Sequence, residues 1–77
     1  MEITSLDKLR RGQTGQILEL PPGRQVSLRL SEMGLRVGSI LTIKNIMPMR
    51  GPILIAVGQT QIALGHGTAR KIQIEVK

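Results

Sequence analysis

The sequence predicts a mainly β fold, a small antiparallel barrel of about five strands with one helix and short helical turns. Three observations predict it. Apolar residues alternate with period two in several short runs, most cleanly at Ile53, Ile55 and Val57 and at Ile72, Ile74 and Val76. Nine glycines and four prolines punctuate the 77 residues, leaving little room for long helices. The core material is aliphatic: Leu, Ile and Val are abundant, whereas aromatic residues and cysteine are absent. Closure into a barrel is expected because it removes strand edges that short apolar strands would otherwise expose.

Each element has a local reason. Ser5 stands where an N-cap would open a helical turn over Leu6–Leu9. Gln16–Leu20 reads as a strand, ended by Pro21 and Pro22, which remove ladder donors. Arg24–Met33 reads as the one substantial helix, with Val26, Leu30 and Met33 on one stripe and Arg29 and Glu32 able to pair beside it. Gly34 fits the position just past its end, and Leu35 can make the apolar contact that follows. Ser39–Met47, Ile53–Val57 and Thr60–Leu64 read as strands, the last two joined by a tight Gly58-Gln59 turn. Thr68–Lys71 suits a short helical turn and Ile72–Val76 a final strand. No repeat or linker divides the chain, so residues 1–77 read as a single domain.

Composition narrows function. At this size a chain buries only about 60–65% of its potential surface, so burial supplied by a second copy, a homo-oligomer, stays open. Without cysteine there is no disulfide, thiolate nucleophile or zinc–thiolate site. Without aromatic residues there is no proline-reading groove and no base-stacking surface. The net charge of +6 suits an acidic protein face, a nucleic acid or an anionic membrane. The eleven basic residues are scattered, however, and form no basic stripe, which argues against specific nucleic-acid binding. No apolar run is long enough for a transmembrane segment, and the N-terminus lacks the apolar core of a secretory signal.

Chemistry-bearing patterns are sparse. There is no Gly-rich phosphate loop with a following Lys-Ser/Thr, and one histidine with five acids is a poor basis for a catalytic constellation. No enzyme is expected. His66, between two glycines, reads as a turn or packing histidine and secondarily as a weak ligand for a divalent metal such as Fe2+. Met33, Met47 and Met49 lack the spacing of a known soft-metal motif and suit core filling. Met47-Pro48-Met49-Arg50-Gly51-Pro52 stands out: two adaptable apolar side chains and an arginine lie in a segment too rich in Pro and Gly for regular structure. Such loops carry binding. Met47 and Met49 either fold back to seal one end of the barrel or serve as anchors for a partner.

The assembled pattern resembles the ferrous iron transport protein A (FeoA) family. The residues that carry it are Leu6-x-x-Leu9-x-x-Gly12, the segment Arg29-Leu30-Ser31-Glu32-Met33-Gly34-Leu35-Arg36-Val37-Gly38, Gly51-Pro52-Ile53, and Ile62-Ala63-Leu64-Gly65 followed by Ala69 and Ile72. The resemblance implies an SH3-like barrel in the cytoplasm. It also implies an accessory role in ferrous iron uptake, through contact with FeoB, a membrane permease with a cytoplasmic G-protein domain. That contact would place the chain at the inner face of the membrane. On this reading Met47, Met49, Arg50, Pro52 and Arg36 are the expected partner-binding residues, with Arg36 or Arg50 meeting an acidic surface. The alternative it implies is a metal-responsive regulatory module like the C-terminal domain of iron- and manganese-dependent repressors.

Overall fold

A computed structural model describes residues 2–77. In chain order the elements are β1 (Glu2–Ser5), a 3-10 turn (Leu6–Lys8), β2 (Thr14–Glu19), α1 (Arg24–Glu32), β3 (Ile40–Ile46), β4 (Ile53–Val57), β5 (Thr60–Leu64), α2 (His66–Ala69) and β6 (Gln73–Val76). The strands form one sheet in the order β1-β6-β2-β3-β4-β5, and every pairing is antiparallel.

This order corrects the predicted closed barrel. Among the described residues β1 pairs only with β6 and β5 only with β4, so the sheet is open, with two edges, and the fold is mixed α/β with two short helices. The sequence predicts closure because it removes strand edges; the edges remain, and the apolar face is not covered by more sheet. Instead the turns and helices cover it. Leu6 and Leu9 from the first turn, Leu30 and Leu35 at the end of α1, and Ala69 from α2 join Ile17, Leu41, Ile43, Ile53, Ile55, Ile62, Leu64, Ile72 and Ile74 in one buried cluster. The sixth strand, β1, was not predicted. It has a single Ile among polar residues, and its pairing with β6 over Glu2–Ser5 comes from ladder hydrogen bonds rather than from apolar alternation.

Other expectations hold with shifts of register. β4 and β5 span the predicted residues. In β2 the ladder with β6 slips between Ile17 and Glu19: Ile17 is buried, and Leu18 and Glu19 are both exposed. The helix forms rather than a competing strand over Val26–Leu30, and its end explains why. Leu35 N–H donates to Leu30 C=O at 2.8 Å and Gly34 N–H to Ser31 C=O at 3.0 Å. Gly34 takes φ 99°, and Leu35 closes onto Leu30. This is the Schellman arrangement, which satisfies carbonyls a helix end leaves open. The predicted apolar stripe is only partly used: Leu30 is buried, but Val26 and Met33 are exposed. Ser5 occupies the N-cap position, but its hydroxyl bonds to the Asp7 carboxylate, not to a backbone N–H.

Candidate functional site: a basic, loop-bearing end of the sheet

Antiparallel register fixes which loops share an end. Ile46 pairs with Ile53, and Ile53 with Leu64, so the Met47–Pro52 connection and the segment after β5 leave the same end of the sheet. Two further bonds, Gly12 N–H to Ile43 C=O at 2.8 Å and Ile43 N–H to Gln13 C=O at 2.9 Å, bring the segment before β2 alongside the last part of β3. Arg10 and Arg11 on that segment, Lys44 on β3 and Arg50 on the loop are all exposed. One end of the sheet thus gathers four cations, and its field favours an acidic surface.

The loop itself is tightly closed. Met47 N–H donates to Pro52 C=O and Gly51 N–H to Pro48 C=O, both at 3.1 Å. To turn within these bonds, Met49 and Arg50 take φ 59° and 57°, consecutive left-handed residues that are not glycine. That conformation costs an L-residue roughly 1–2 kcal/mol each. The turn holds Met49 out in solvent, 98% exposed, with Met47 at 43%. The side chains therefore do not fold back to seal the sheet, and a large apolar group stands on a braced loop beside an arginine.

The remaining predicted residues lie elsewhere. Arg36 follows α1 and precedes β3, so the seven residues of β3 separate it from the loop by roughly 20 Å. It is held locally, with its N–H donating to Ser39 Oγ at 3.0 Å and its Nε to Ser31 Oγ at 3.4 Å. His66 opens α2 at the same end as the loop. Its Nε2 lies 3.7 Å from Asp7 Oδ2, while Asp7 Oδ1 accepts from Ser5 Oγ. The order Ser–Asp–His puts the carboxylate in the middle, so the imidazole does not reach the hydroxyl and this is not a nucleophile–base pair. Among the described residues no group of three His, Cys, Asp or Glu side chains is placed to hold a metal ion. Periodicity could not reveal the Asp7–His66 contact, because fifty-eight residues separate the two in sequence. Sequence reasoning also missed a cleft of about 290 Å³ between α1 and α2, lined by Pro21, Pro22, Val26, Arg70 and Lys71 among others. Its signal was present in the Val26 stripe that α1 leaves uncovered.

The FeoA domain model matches residues 4–76, nearly the whole sheet and both helices. The chain belongs to the FeoA family. A Methanocaldococcus jannaschii protein named "Putative Fe(2+) transport protein A" is 32% identical over 66 residues, covering 86% of this chain and 78% of that one. The crystal structure of an iron uptake regulatory protein (FeoA) superposes with a TM-score of 0.88 at 26% identity, covering all of both chains. A manganese-dependent transcriptional repressor superposes with a TM-score of 0.85 over 97% of this chain and 42% of its own. At 22% identity that likeness shows a shared fold alone. FeoA-family membership links the chain to ferrous iron uptake in an accessory, non-catalytic capacity. No helix among the described residues is long and apolar enough to cross a membrane.

Proposed function

We propose that this FeoA-family chain is a cytoplasmic accessory of ferrous iron uptake that acts by direct contact with the cytoplasmic part of a FeoB-type permease. The observation that carries this reading is the Met47–Pro52 loop. Two consecutive left-handed residues hold Met49 and Arg50 outward, at the end of the sheet that also bears Arg10, Arg11 and Lys44. Retained backbone strain of this kind is a mark of a binding segment. Met47 and Met49 are the apolar anchors, Pro52 and Gly51 keep the loop closed, and Arg50 meets acid on the partner. Arg36, at the far end of β3, contributes only through a partner large enough to reach both ends.

Titration of the purified cytoplasmic part of the permease tests the reading. Changing Met47 and Met49 together to serine is expected to weaken the complex at least tenfold, leaving thermal unfolding unchanged. Unchanged affinity, or a loss of stability that accounts for the whole effect, would remove the loop from the interface. Encounter is steered by charge, so wild-type affinity falls as salt rises. The metal-responsive alternative draws only on the fold shared with the manganese-dependent repressor, and no second observation favours it.

A further inference from the structure

The open sheet leaves β5 as an edge, and the register of its hairpin shows which groups it presents. Gly58-Gln59 is a two-residue turn, so Val57 and Thr60 form the hydrogen-bonded pair that closes it. Alternation then makes Ile55–Ile62 and Ile53–Leu64 bonded pairs, and turns the N–H and C=O groups of Gln61 and Ala63 away from β4. Neither residue has another hydrogen-bond partner among the described residues, and both side chains are exposed. Ile62, between them, points into the core at 5% exposure.

Native sheets protect such an edge with charge, proline, a bulge or a cover. Among the described residues β5 has none of these. The whole stretch Gly51–Ala69, nineteen residues that include the β4–β5 hairpin, contains no Lys, Arg, Asp or Glu, although the chain carries sixteen such residues. The opposite edge, β1, is shorter and carries Glu2.

We infer that the β5 edge is a self-association surface, on which a second copy of this chain adds its own β5 antiparallel through a two-fold axis at Ile62. The register is self-complementary. Gln61 meets the partner's Ala63, and Ala63 meets the partner's Gln61, each pair exchanging both ladder bonds. That makes four hydrogen bonds from groups now unpaired. Ile62 faces the partner's Ile62 in the intervening non-bonded pair, where side chains approach most closely, so the two cores become continuous along one sheet. Charge permits a second copy at this edge and gives a charged partner no foothold. Two chains of +6 repel, and the uncharged hairpin is where they can meet with least repulsion. An acidic extended segment would find no cation on β5 to hold it. The interface is closed and isologous, so it stops at a dimer. It is small, so the dimer is weak and reversible.

Sedimentation of the full chain tests this. The apparent mass is expected to rise from 8.4 kDa toward twice that value across about a hundredfold range of concentration. Added salt should promote the rise, the opposite of its effect on an acidic partner. Amide exchange at Gln61 and Ala63 should slow as concentration rises. Ala63→Lys, which charges the edge, and Ala63→Pro, which removes one outward donor, should each hold the chain at 8.4 kDa with an unchanged circular dichroism spectrum. If either variant does not fold, the exchange rates of the wild-type amides decide. A chain monomeric throughout, or a dimer whose Gln61 and Ala63 amides exchange freely, overturns the proposal. Protection of those amides only when the permease's cytoplasmic part is added would assign the edge to that partner instead.

Discussion

The Asp7 carboxylate ties the first turn of the chain to α2: one oxygen lies 3.7 Å from His66 Nε2 and the other accepts from Ser5 Oγ. The pair is largely sheltered, with side-chain exposures of 10% for Asp7 and 28% for His66. It joins two segments that are far apart in sequence, and the imidazole's role follows from the company it keeps. With one carboxylate already shared, His66 and Asp7 form a structural tie.

His66→Ala is therefore expected to cost about 0.5–1 kcal/mol, the size of a single partly screened polar contact. Asp7→Ala should cost somewhat more, because Ser5 loses its partner as well. Urea unfolding measures both. Equilibrium dialysis with Fe2+ alone gives the complementary reading: two donors hold the ion weakly, so no stoichiometric retention is expected at micromolar protein. Tight binding that His66→Ala abolishes would make the imidazole a ligand and overturn this assignment.

The end of α1 should be far more sensitive. Leu35 is fully buried and lies directly after the left-handed Gly34. Leu35→Ala removes buried apolar volume and is expected to cost about 2–5 kcal/mol. Gly34→Ala meets open space, so its cost is conformational alone, about 1 kcal/mol. A large loss at Gly34 and a small one at Leu35 would reverse the argument that packing, with the cap as its guide, holds this helix.

Gly15 tests the centre of the sheet. It sits on β2 between β3 and β6, and a Cβ there would overlap Ile74 Cγ2. Gly15→Ala is expected to destabilise by about 1–3 kcal/mol through overpacking. Combining it with Ile74→Ala removes the obstructing methyl, so the double variant should be more stable than the sum of the single losses predicts. Strict additivity would show that Gly15 is needed for some reason other than this close approach.

These sites also show what was legible in the sequence. The β4–β5 hairpin and the stop of α1 could be read, because alternation and a glycine at a helix end act over a few residues. Closure could not. Whether β1 meets β5 depends on how much apolar surface the helices cover, and Leu6, Leu30 and Ala69 look alike in sequence whether they cap an open sheet or plug a barrel. The stripe through Val26 and Met33 misled for a related reason. Helical periodicity reports which residues share a face, not whether anything lies against it. At the candidate site the loop residues were visible as a Met/Arg/Pro segment. The companionship of Arg10, Arg11 and Lys44 was not, since it arises from register between β2, β3 and β4.

Strain in the Met47–Pro52 loop yields the sharpest separation of stability from binding. Met49 and Arg50 hold φ 59° and 57°, values glycine adopts without penalty. Met49→Gly should therefore leave stability unchanged within about 1 kcal/mol or raise it, since relief of strain offsets the added freedom of the unfolded chain. The same change removes the exposed apolar anchor. Thermal unfolding and titration with the permease's cytoplasmic part should move in opposite directions, with Tm held or raised and affinity reduced. Arg50→Gly should behave alike in unfolding but lose chiefly the salt-sensitive part of the affinity. If both variants bind as the wild type does, the loop's conformation serves the hairpin and not a partner.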